Sequence, residues 1–360
     1  MGAAREHVDR STAARRAAHG AVAGSLALRG DHELRELVDG AQPLGSGIGG
    51  RTALLQVAGT PVFVKLVPLT ALETRPEHTR STANVFSLPA FCHYGIGSPG
   101  FGAWRELAVH TMTTDWVLAG EHPGFPLTYH WRVLPNTTAP GLPEDLADVA
   151  KTVAYWGGGP EVRERLEALR QAPAHLALFL EYLPQTLGHW LGERLRAGGP
   201  AADRACAMVE RELASVTSFM HARGLLHFDA HFENILTDGR RLYFADYGLA
   251  FSSRFELEPP EAEFFEQHRS YDRCYTITHL VHWLVTHRYG HRGDERDALI
   301  RAFAEGEPPQ GLPGGVAALL TRHAPLATVM SAFYRRLQRE DRKAPYPLEQ
   351  IRRTAGEVLS

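Results

Sequence analysis

Two short stretches of the chain place polar side chains among apolar ones: HFDAHFENIL at 227–236 and FADYGLA at 244–250. Their polar members include Asp229, His231, Asn234 and Asp246. Burying such groups is costly unless each one finds a partner. These residues are therefore either satisfied within the structure or hold a charged ligand.

Transfer of a phosphoryl group from ATP is one chemistry that needs these residue types. The protein must position the donor, neutralise its phosphates and orient an acceptor hydroxyl. Glycines let backbone N–H groups approach the phosphates, and a lysine held by a carboxylate adds positive charge. Oxygen ligands from aspartate and asparagine suit Mg²⁺, and a further aspartate can take the acceptor's proton.

Candidates for each of these roles occur upstream in the expected order. LGSGIGG at 44–50 contains a GxGxxG pattern, formed by Gly45, Ser46, Gly47 and Gly50. Lys65 lies within the strand-like VFVKLV, and Glu106 lies on a predicted helix, with Glu73 and Glu77 as competitors for the partner of Lys65. Each feature alone has a plain structural explanation, such as a turn, an edge-strand charge or a solvated helix residue. Their combination with HxDxxxxN and DYG is much more specific.

These motifs resemble those of the protein-kinase-like superfamily. HFDAHFEN is similar to the catalytic loop H-R-D-L-x-x-x-N, and DYG is similar to DFG. LFLEYLP at 178–184 resembles the segment that binds adenine and connects the two lobes. The resemblance implies an α+β, bilobal fold with a small antiparallel β N-lobe and a larger, mainly α C-lobe. It also implies ATP and Mg²⁺ as cofactors.

The resemblance further implies a role for each candidate residue. Gly45, Ser46, Gly47 and Gly50 would cover the phosphates, and Lys65 would contact them, braced by Glu106. Asn234 and Asp246 would bind Mg²⁺, and Asp229 would orient the acceptor hydroxyl. The backbone near Glu181 and Leu183 would bind adenine. His231 would either bind a phosphate or stabilise the loop.

The motifs leave the acceptor open between two classes. DYG and LFLEYLP favour Ser or Thr of a protein or peptide, as in eukaryotic-like protein kinases. His231, Phe228 in the place of arginine and the absence of an A-P-E motif favour a small-molecule alcohol, as in aminoglycoside phosphotransferases. A third reading is a pseudokinase, an ATP-binding scaffold without turnover. Of these, the motifs favour a protein or peptide acceptor.

The elements that must position these residues divide the chain into four parts. Residues 1–40 are predicted to form a helical extension, 41–180 the N-lobe, 181–185 the connecting hinge and 186–360 the C-lobe. Within the N-lobe, strands flank an AGTP turn near residue 59 and a helix follows at 104–120. The segment at about 70–102 is predicted to be a long ordered insertion. It either shapes the acceptor site or closes over it, or it is an inert surface loop.

Composition and charge limit the classes of partner. The 360 residues carry a formal net charge of −3, which gives no general attraction to nucleic acid. No apolar run reaches the roughly 18 residues of a spanning helix, and no signal peptide is recognised. The three cysteines show no CxxC spacing, which fits a reduced, cytoplasmic protein.

Overall fold

The computed structural model describes residues 11–47, 49–95, 97–137 and 140–354, which form a mixed α/β structure. A five-stranded antiparallel sheet occupies the first half of the described chain, with strand order β1-β2-β3-β5-β4. Its strands are β1 (Gln42–Gly47), β2 (Gly50–Val57), β3 (Thr60–Leu69), β4 (Thr128–Pro135) and β5 (Ala174–Glu181). The predicted antiparallel sheet is thus confirmed.

The β2–β3 hairpin follows from local sequence. Val, Leu and Phe side chains favour the strands, and the turn falls at Ala58 and Gly59, both with positive φ, as two-residue hairpin turns require. Most of the glycine segment at 44–50 belongs to strands β1 and β2. Pairing of β1 with β2 extends to Gly47 opposite Gly50, because glycines accept the strained backbone of a very short connection.

Helices make up most of the remaining described structure. Those associated with the sheet are α1 (Thr12–Ala27), α2 (Asp31–Asp39), α3 (Ala103–Ala119), α4 (Val149–Tyr155) and α5 (Pro160–Arg170). Those that follow it are α6 (Leu187–Ala197), α7 (Gly199–Ala222), α8 (Pro259–Gln267), α9 (Tyr271–Tyr289), α10 (Gly293–Ala304), α11 (Gly314–Arg339) and α12 (Leu348–Thr354). The helices predicted in the extension before residue 41 and at 104–120 are confirmed over the described residues by α1, α2 and α3. Helix α8 was not predicted.

Two small antiparallel pairs lie between α7 and α8. Strand β6 (Leu225–Leu226) pairs with β9 (Phe251–Ser252), and β7 (Ile235–Thr237) pairs with β8 (Leu242–Phe244). The β7–β8 hairpin joins the two polar stretches. It therefore brings the HFDAHFEN and DYG segments to the same end of the hairpin.

The longest helix of the described chain is α11, and one of its sides packs into the core. It is the one described helix long and apolar enough to cross a membrane by length and composition, and 56% of its apolar window is buried inside the protein. The buried core helix of a globular protein passes the same test, so this single helix is weak evidence for a membrane span. The three cysteines, Cys92, Cys206 and Cys274, are buried free thiols.

A buried ion pair ties α1 to the end of β5. The Arg15 guanidinium donates from Nε to Glu181 Oε1 at 3.0 Å and from a terminal nitrogen to Oε2 at 2.7 Å. The same guanidinium also donates to the carbonyls of Pro123 and Phe125. Its position fixes the end of β5 against the loop that precedes β4.

Replacing Arg15 with methionine is expected to lower the free energy of unfolding by about 3–5 kcal/mol, because Glu181 would stay buried without the arginine. The change is measured by urea denaturation. Arg16→Met is the matched control, since Arg16 is exposed and, among the described residues, its side chain donates a hydrogen bond only to the Leu118 carbonyl. Equal effects of the two substitutions would contradict this role of Arg15.

Candidate functional site

Lys65 lies in the middle of β3 with its side chain buried between two carboxylates. Its Nζ donates to Glu106 Oε1 at 2.7 Å and to Asp246 Oδ1 at 2.8 Å. Burial alone would lower the pKa of Lys65, but the charges of Asp246 and Glu106 outweigh it and raise that pKa. The ammonium is therefore a permanent positive charge at this point of the structure.

Of the three glutamates considered as partners of Lys65, Glu106 makes the contact. It lies in the first turn of α3. Glu73 instead forms a buried ion pair with Arg165 at 2.8 Å and accepts the Ala103 N–H at 3.0 Å, which places its charge at the N-terminus of α3. The segment before α3 thus anchors the helix, and its length does not prevent Glu106 from reaching Lys65.

Asp229 and Asn234 belong to one loop that is fixed by internal hydrogen bonds. The Asn234 side-chain amide donates to the Asp229 carbonyl at 2.9 Å and to Asp229 Oδ2 at 3.1 Å. Because Asn234 Nδ2 is used in this way, its Oδ1 is directed away from Asp229. The Ala245 N–H donates to the Asn234 carbonyl at 2.9 Å and so links this loop to Asp246.

The structure assigns to Asp272 a supporting role that the sequence analysis missed. Its buried carboxylate accepts the backbone N–H groups of His227, at 2.5 Å, and Phe228, at 2.9 Å. Phe228 has a φ of +63°, a conformation that costs a non-glycine residue free energy. Asp272 compensates by satisfying the two donors of this turn. The available signal was an acidic residue near the start of the segment that forms α9.

The Asp229 carboxyl is partly accessible, with 27% of its side chain exposed. Burial, and then the negative charge of Asp246, raises the pKa of Asp229 to about 7. A carboxylate with that pKa is a better proton acceptor near neutral pH than an ordinary aspartate.

His231 lies beside Asp229 as a neutral imidazole, since burial lowers its pKa. Its Nδ1 accepts the Glu233 N–H at 3.2 Å, so Nε2 carries the ring proton. That Nε2 lies 3.8 Å from Asp229 Oδ2. His231 thus orders the loop, and its N–H faces the same space as the Asp229 carboxylate.

Asp246 also has a positive φ, of +63°, and its side chain is 43% exposed. Burial would raise its pKa, but the neighbouring Lys65 ammonium lowers the pKa of Asp246 to about 2. The group is therefore ionised, and its second oxygen is not used by Lys65.

Asn234 and Asp246 together offer oxygen atoms suited to Mg²⁺. Within the described residues no group of three His, Cys, Asp or Glu side chains could hold a metal by itself. Mg²⁺ is commonly bound by one or two protein oxygens, with substrate phosphates and waters completing the octahedron. The two residues therefore suit a metal ion that binds together with a polyphosphate. They are too few to form a metal site from protein ligands alone.

The glycines of the 44–50 segment differ in their surroundings. Gly45 and Gly47 are exposed, and a Cβ at Gly47 would meet nothing within 4 Å. A Cβ at Gly49 would lie 3.0 Å from Lys65 Nζ, which identifies Gly49 as a site residue that the motif did not include. The side chain of Ser46 lies outside the described residues.

Gly50 is required by the sheet itself. Its φ is +113°, and a Cβ there would lie 2.1 Å from the Leu66 carbonyl oxygen. We expect Gly50→Ala to lower the free energy of unfolding by at least about 1–3 kcal/mol, since strain and clash add. Gly47→Ala, at the open position, should leave stability nearly unchanged. Thermal denaturation of both variants checks this, and equal melting temperatures would contradict it.

Glu181 and Leu183, predicted to bind adenine through their backbones, lie at and just after the end of β5. The Glu181 N–H is already used, since it donates to the Leu127 carbonyl at 2.8 Å, and its side chain is paired with Arg15. Leu183 is buried, and in the described part of the chain no acceptor is found for its N–H. Leu183 therefore keeps a free backbone donor, whereas the Glu181 amide does not.

A cavity of about 820 Å³ opens beside these charged residues. Gly49, Glu106, Asp229, His231 and Asp246 line one end of it. Residues 94–95 and 97–100 form a wall next to Asp229, and α9, α10 and α11 enclose the other end. The predicted residues Lys65, Glu106, Asp229, His231, Asn234 and Asp246 are thus brought together, and all but Lys65 and Asn234 line the cavity.

The chain matches no known protein-family model, and no curated protein was found to be similar to it.

Proposed function

We propose that this chain is an ATP- and Mg²⁺-dependent phosphotransferase that moves the γ-phosphoryl group of ATP to a hydroxyl. The observation that carries the proposal is Lys65 held at 2.7 and 2.8 Å by Glu106 and Asp246, with the Asp229 carboxyl lining the same cavity. The site combines three groups: the permanently charged Lys65 ammonium, the strongly acidic Asp246 carboxyl and the Asp229 carboxyl, whose pKa is raised. That set suits a reaction governed by positioning and charge stabilisation.

Each residue has a distinct role in this proposal. Lys65 neutralises donor phosphate charge, and Glu106 keeps the ammonium in place. Asn234 Oδ1 and Asp246 would hold Mg²⁺, which supplies Lewis-acid stabilisation of the phosphate oxygens when bound. Gly49, with no side chain, leaves room beside the Lys65 ammonium for backbone to approach the phosphates.

Asp229 acts on the acceptor. Its carboxylate accepts the hydroxyl proton as the acceptor oxygen forms a bond to the γ-phosphorus, and the bond from that phosphorus to the bridging oxygen of ADP breaks. Asn234 and the loop hydrogen bonds hold the carboxylate in one orientation. The raised pKa of Asp229 matches its task of accepting a proton near neutral pH.

The same proposal includes the bilobal protein-kinase-like fold. The sheet with α3 would be the N-lobe, the helices from α6 onward the C-lobe, and the residues after β5 the hinge. The buried but unused N–H of Leu183 is a suitable donor for the adenine ring. This architecture accounts for the placement of Lys65 on the sheet and of Asp229 and Asp246 on loops of the helical part.

Binding and turnover are tested separately. ATP with Mg²⁺ is expected to raise the melting temperature of the wild type, an increase that EDTA or Asp246→Asn reduces. Release of ADP and transfer of ³²P from γ-labelled ATP then report turnover. Absence of ATP binding would overturn the proposal, whereas binding without transfer to protein or small molecules would favour a pseudokinase scaffold.

A further inference from the structure

The cavity beside Asp229 extends well beyond the space that ATP phosphates need. At its far end it is bounded by α9, α10 and α11, which supply Tyr275, Thr278, His279, Arg296 and Ser331. Its near wall is formed by residues 94–95 and 97–100, where a Cβ at Gly95 would lie 3.7 Å from Asp229 Oδ1. A volume of about 820 Å³ lies in the range of small-molecule sites.

One wall group points to a ligand. Thr278 is 1% exposed and lines the cavity, and among the described residues its Oγ1 has no hydrogen-bond partner. Leaving a buried hydroxyl unpaired costs free energy, and most helical threonines avoid it by bonding to the helix backbone. Thr276, two residues earlier on the same helix, does so by donating to the Asp272 carbonyl at 2.8 Å. The Thr278 hydroxyl is therefore available to a molecule in the cavity.

The far wall carries hydrogen-bonding groups but little unpaired charge. Burial lowers the pKa values of His279 and His282, so both imidazoles are neutral. His279 Nε2 accepts the Phe232 N–H, which leaves its proton on Nδ1. His282 bonds to the Ser331 hydroxyl at 2.7 Å. The wall thus offers neutral donors and acceptors.

The charged residues of the lining are largely paired with one another. Arg296 contacts Asp297 at 3.1 Å, Arg339 contacts Asp294 at 3.1 Å, and Arg165 contacts Glu73 at 2.8 Å. Away from the end lined by Glu106, Asp229 and Asp246, two charged residues of the described lining have no ion pair. They are Arg335 and Asp145, whose charges have opposite signs. A polycationic or polyanionic ligand would therefore find no matching set of charges there.

We propose that the acceptor is a small, uncharged molecule bearing several hydroxyl groups, seated between residues 94–95 and 97–100 on one side and helices α9 to α11 on the other, and held by the Thr278 hydroxyl. This inference rests on the proposed phosphotransferase function and specifies its acceptor. One hydroxyl of the acceptor faces Asp229, loses its proton to that carboxylate and gains the γ-phosphoryl group, with ADP as the leaving group. Thr278 positions another part of the same molecule. The segment at 70–102 thereby contributes a wall of the acceptor site.

The first test separates acceptor classes by charge. A cell lysate is divided into macromolecules, small molecules retained by a mixed-bed ion exchanger and small molecules that flow through it. Each fraction is incubated with γ-labelled ATP, Mg²⁺ and the wild-type protein. We expect new label, retained by anion exchange, from the flow-through fraction. Label confined to the macromolecular or the charged fraction would overturn this inference while leaving the phosphotransferase proposal intact.

Failure of the two proposals is thus distinguishable. If ATP does not bind, the phosphotransferase proposal fails and the acceptor inference with it. If ATP binds and no fraction accepts label, turnover is absent and both are overturned.

The second test uses the labelled neutral fraction and substitutions on α9. Thr278→Val removes the unpaired hydroxyl at nearly constant volume, and we expect the concentration of acceptor fraction that gives half-maximal rate to rise roughly tenfold. The affinity for ATP and the melting temperature should not fall, because no internal bond is lost. Thr276→Val is the matched control and should leave the acceptor dependence unchanged. An unchanged acceptor dependence in Thr278→Val would remove Thr278 from the site.

Discussion

Asp229→Asn is expected to lower phosphoryl transfer by about 10²–10⁴-fold, the usual contribution of a positioned general base. The amide has nearly the shape of the carboxylate but cannot accept the acceptor's proton. Binding of ATP should change little, since Asp229 is assigned to the acceptor and not to the nucleotide. Initial rates of ³²P transfer, together with an ATP titration by calorimetry, check both parts.

Stability supplies an independent control for this variant. The pKa of Asp229 is raised in the folded protein, so the folded state binds more protons than the unfolded state between about pH 4 and pH 7. Ionisation of Asp229 therefore lowers wild-type stability as the pH rises through that window. In EDTA, the melting temperature of Asp229→Asn relative to wild type should increase from about pH 5 to about pH 8. A variant that loses both activity and stability would indicate a structural role instead.

Lys65→Met is expected to reduce phosphoryl transfer by about 10²–10³-fold, because the charge facing the donor phosphates is lost. It should also lower the free energy of unfolding by about 3–5 kcal/mol, because Glu106 would remain as a buried carboxylate without its cation. Initial rates and urea denaturation measure the two effects.

A double variant separates these two effects. Adding Glu106→Gln to Lys65→Met removes the uncompensated charge and should recover part of the lost stability. Activity should stay low, because the lysine is still absent. Recovery of activity together with stability would show that Lys65 acts only through folding.

Local sequence patterns predicted much of the candidate site. The hairpin of β7 and β8 follows from short apolar runs separated by a turn, so the proximity of Asn234 and Asp246 could be inferred. Lys65 could be placed on a strand from its apolar neighbours. The choice of Glu106 over Glu73 and Glu77 as the partner of Lys65 could not be predicted, because it depends on how the segment at 70–102 packs against α3 and α5.

The features that were missed all depend on contacts distant in sequence. Asp272 acts on His227 and Phe228, which lie in another element, and nothing in its local pattern specifies them. Arg15 reaches Glu181 across most of the sheet-containing half of the chain, so the use of Glu181 as a structural group was not foreseen. The cavity likewise joins an early loop to late helices, and only the three-dimensional structure brings them together.

Helix α3 is fastened at both of its sides near Glu106. Its Arg105 forms an ion pair with Glu261 of α8 at 2.9 Å, with both side chains almost fully buried, and also donates to the Thr82 carbonyl. An outward displacement of α3 would break this ion pair and also the ion pair between Lys65 and Glu106. Each loss would leave an unpaired charge in an apolar environment. We therefore expect the folded protein to keep the Lys65–Glu106 pair without any activating step. The proposed activity in the cell would then be regulated through the rates of synthesis and degradation of the protein.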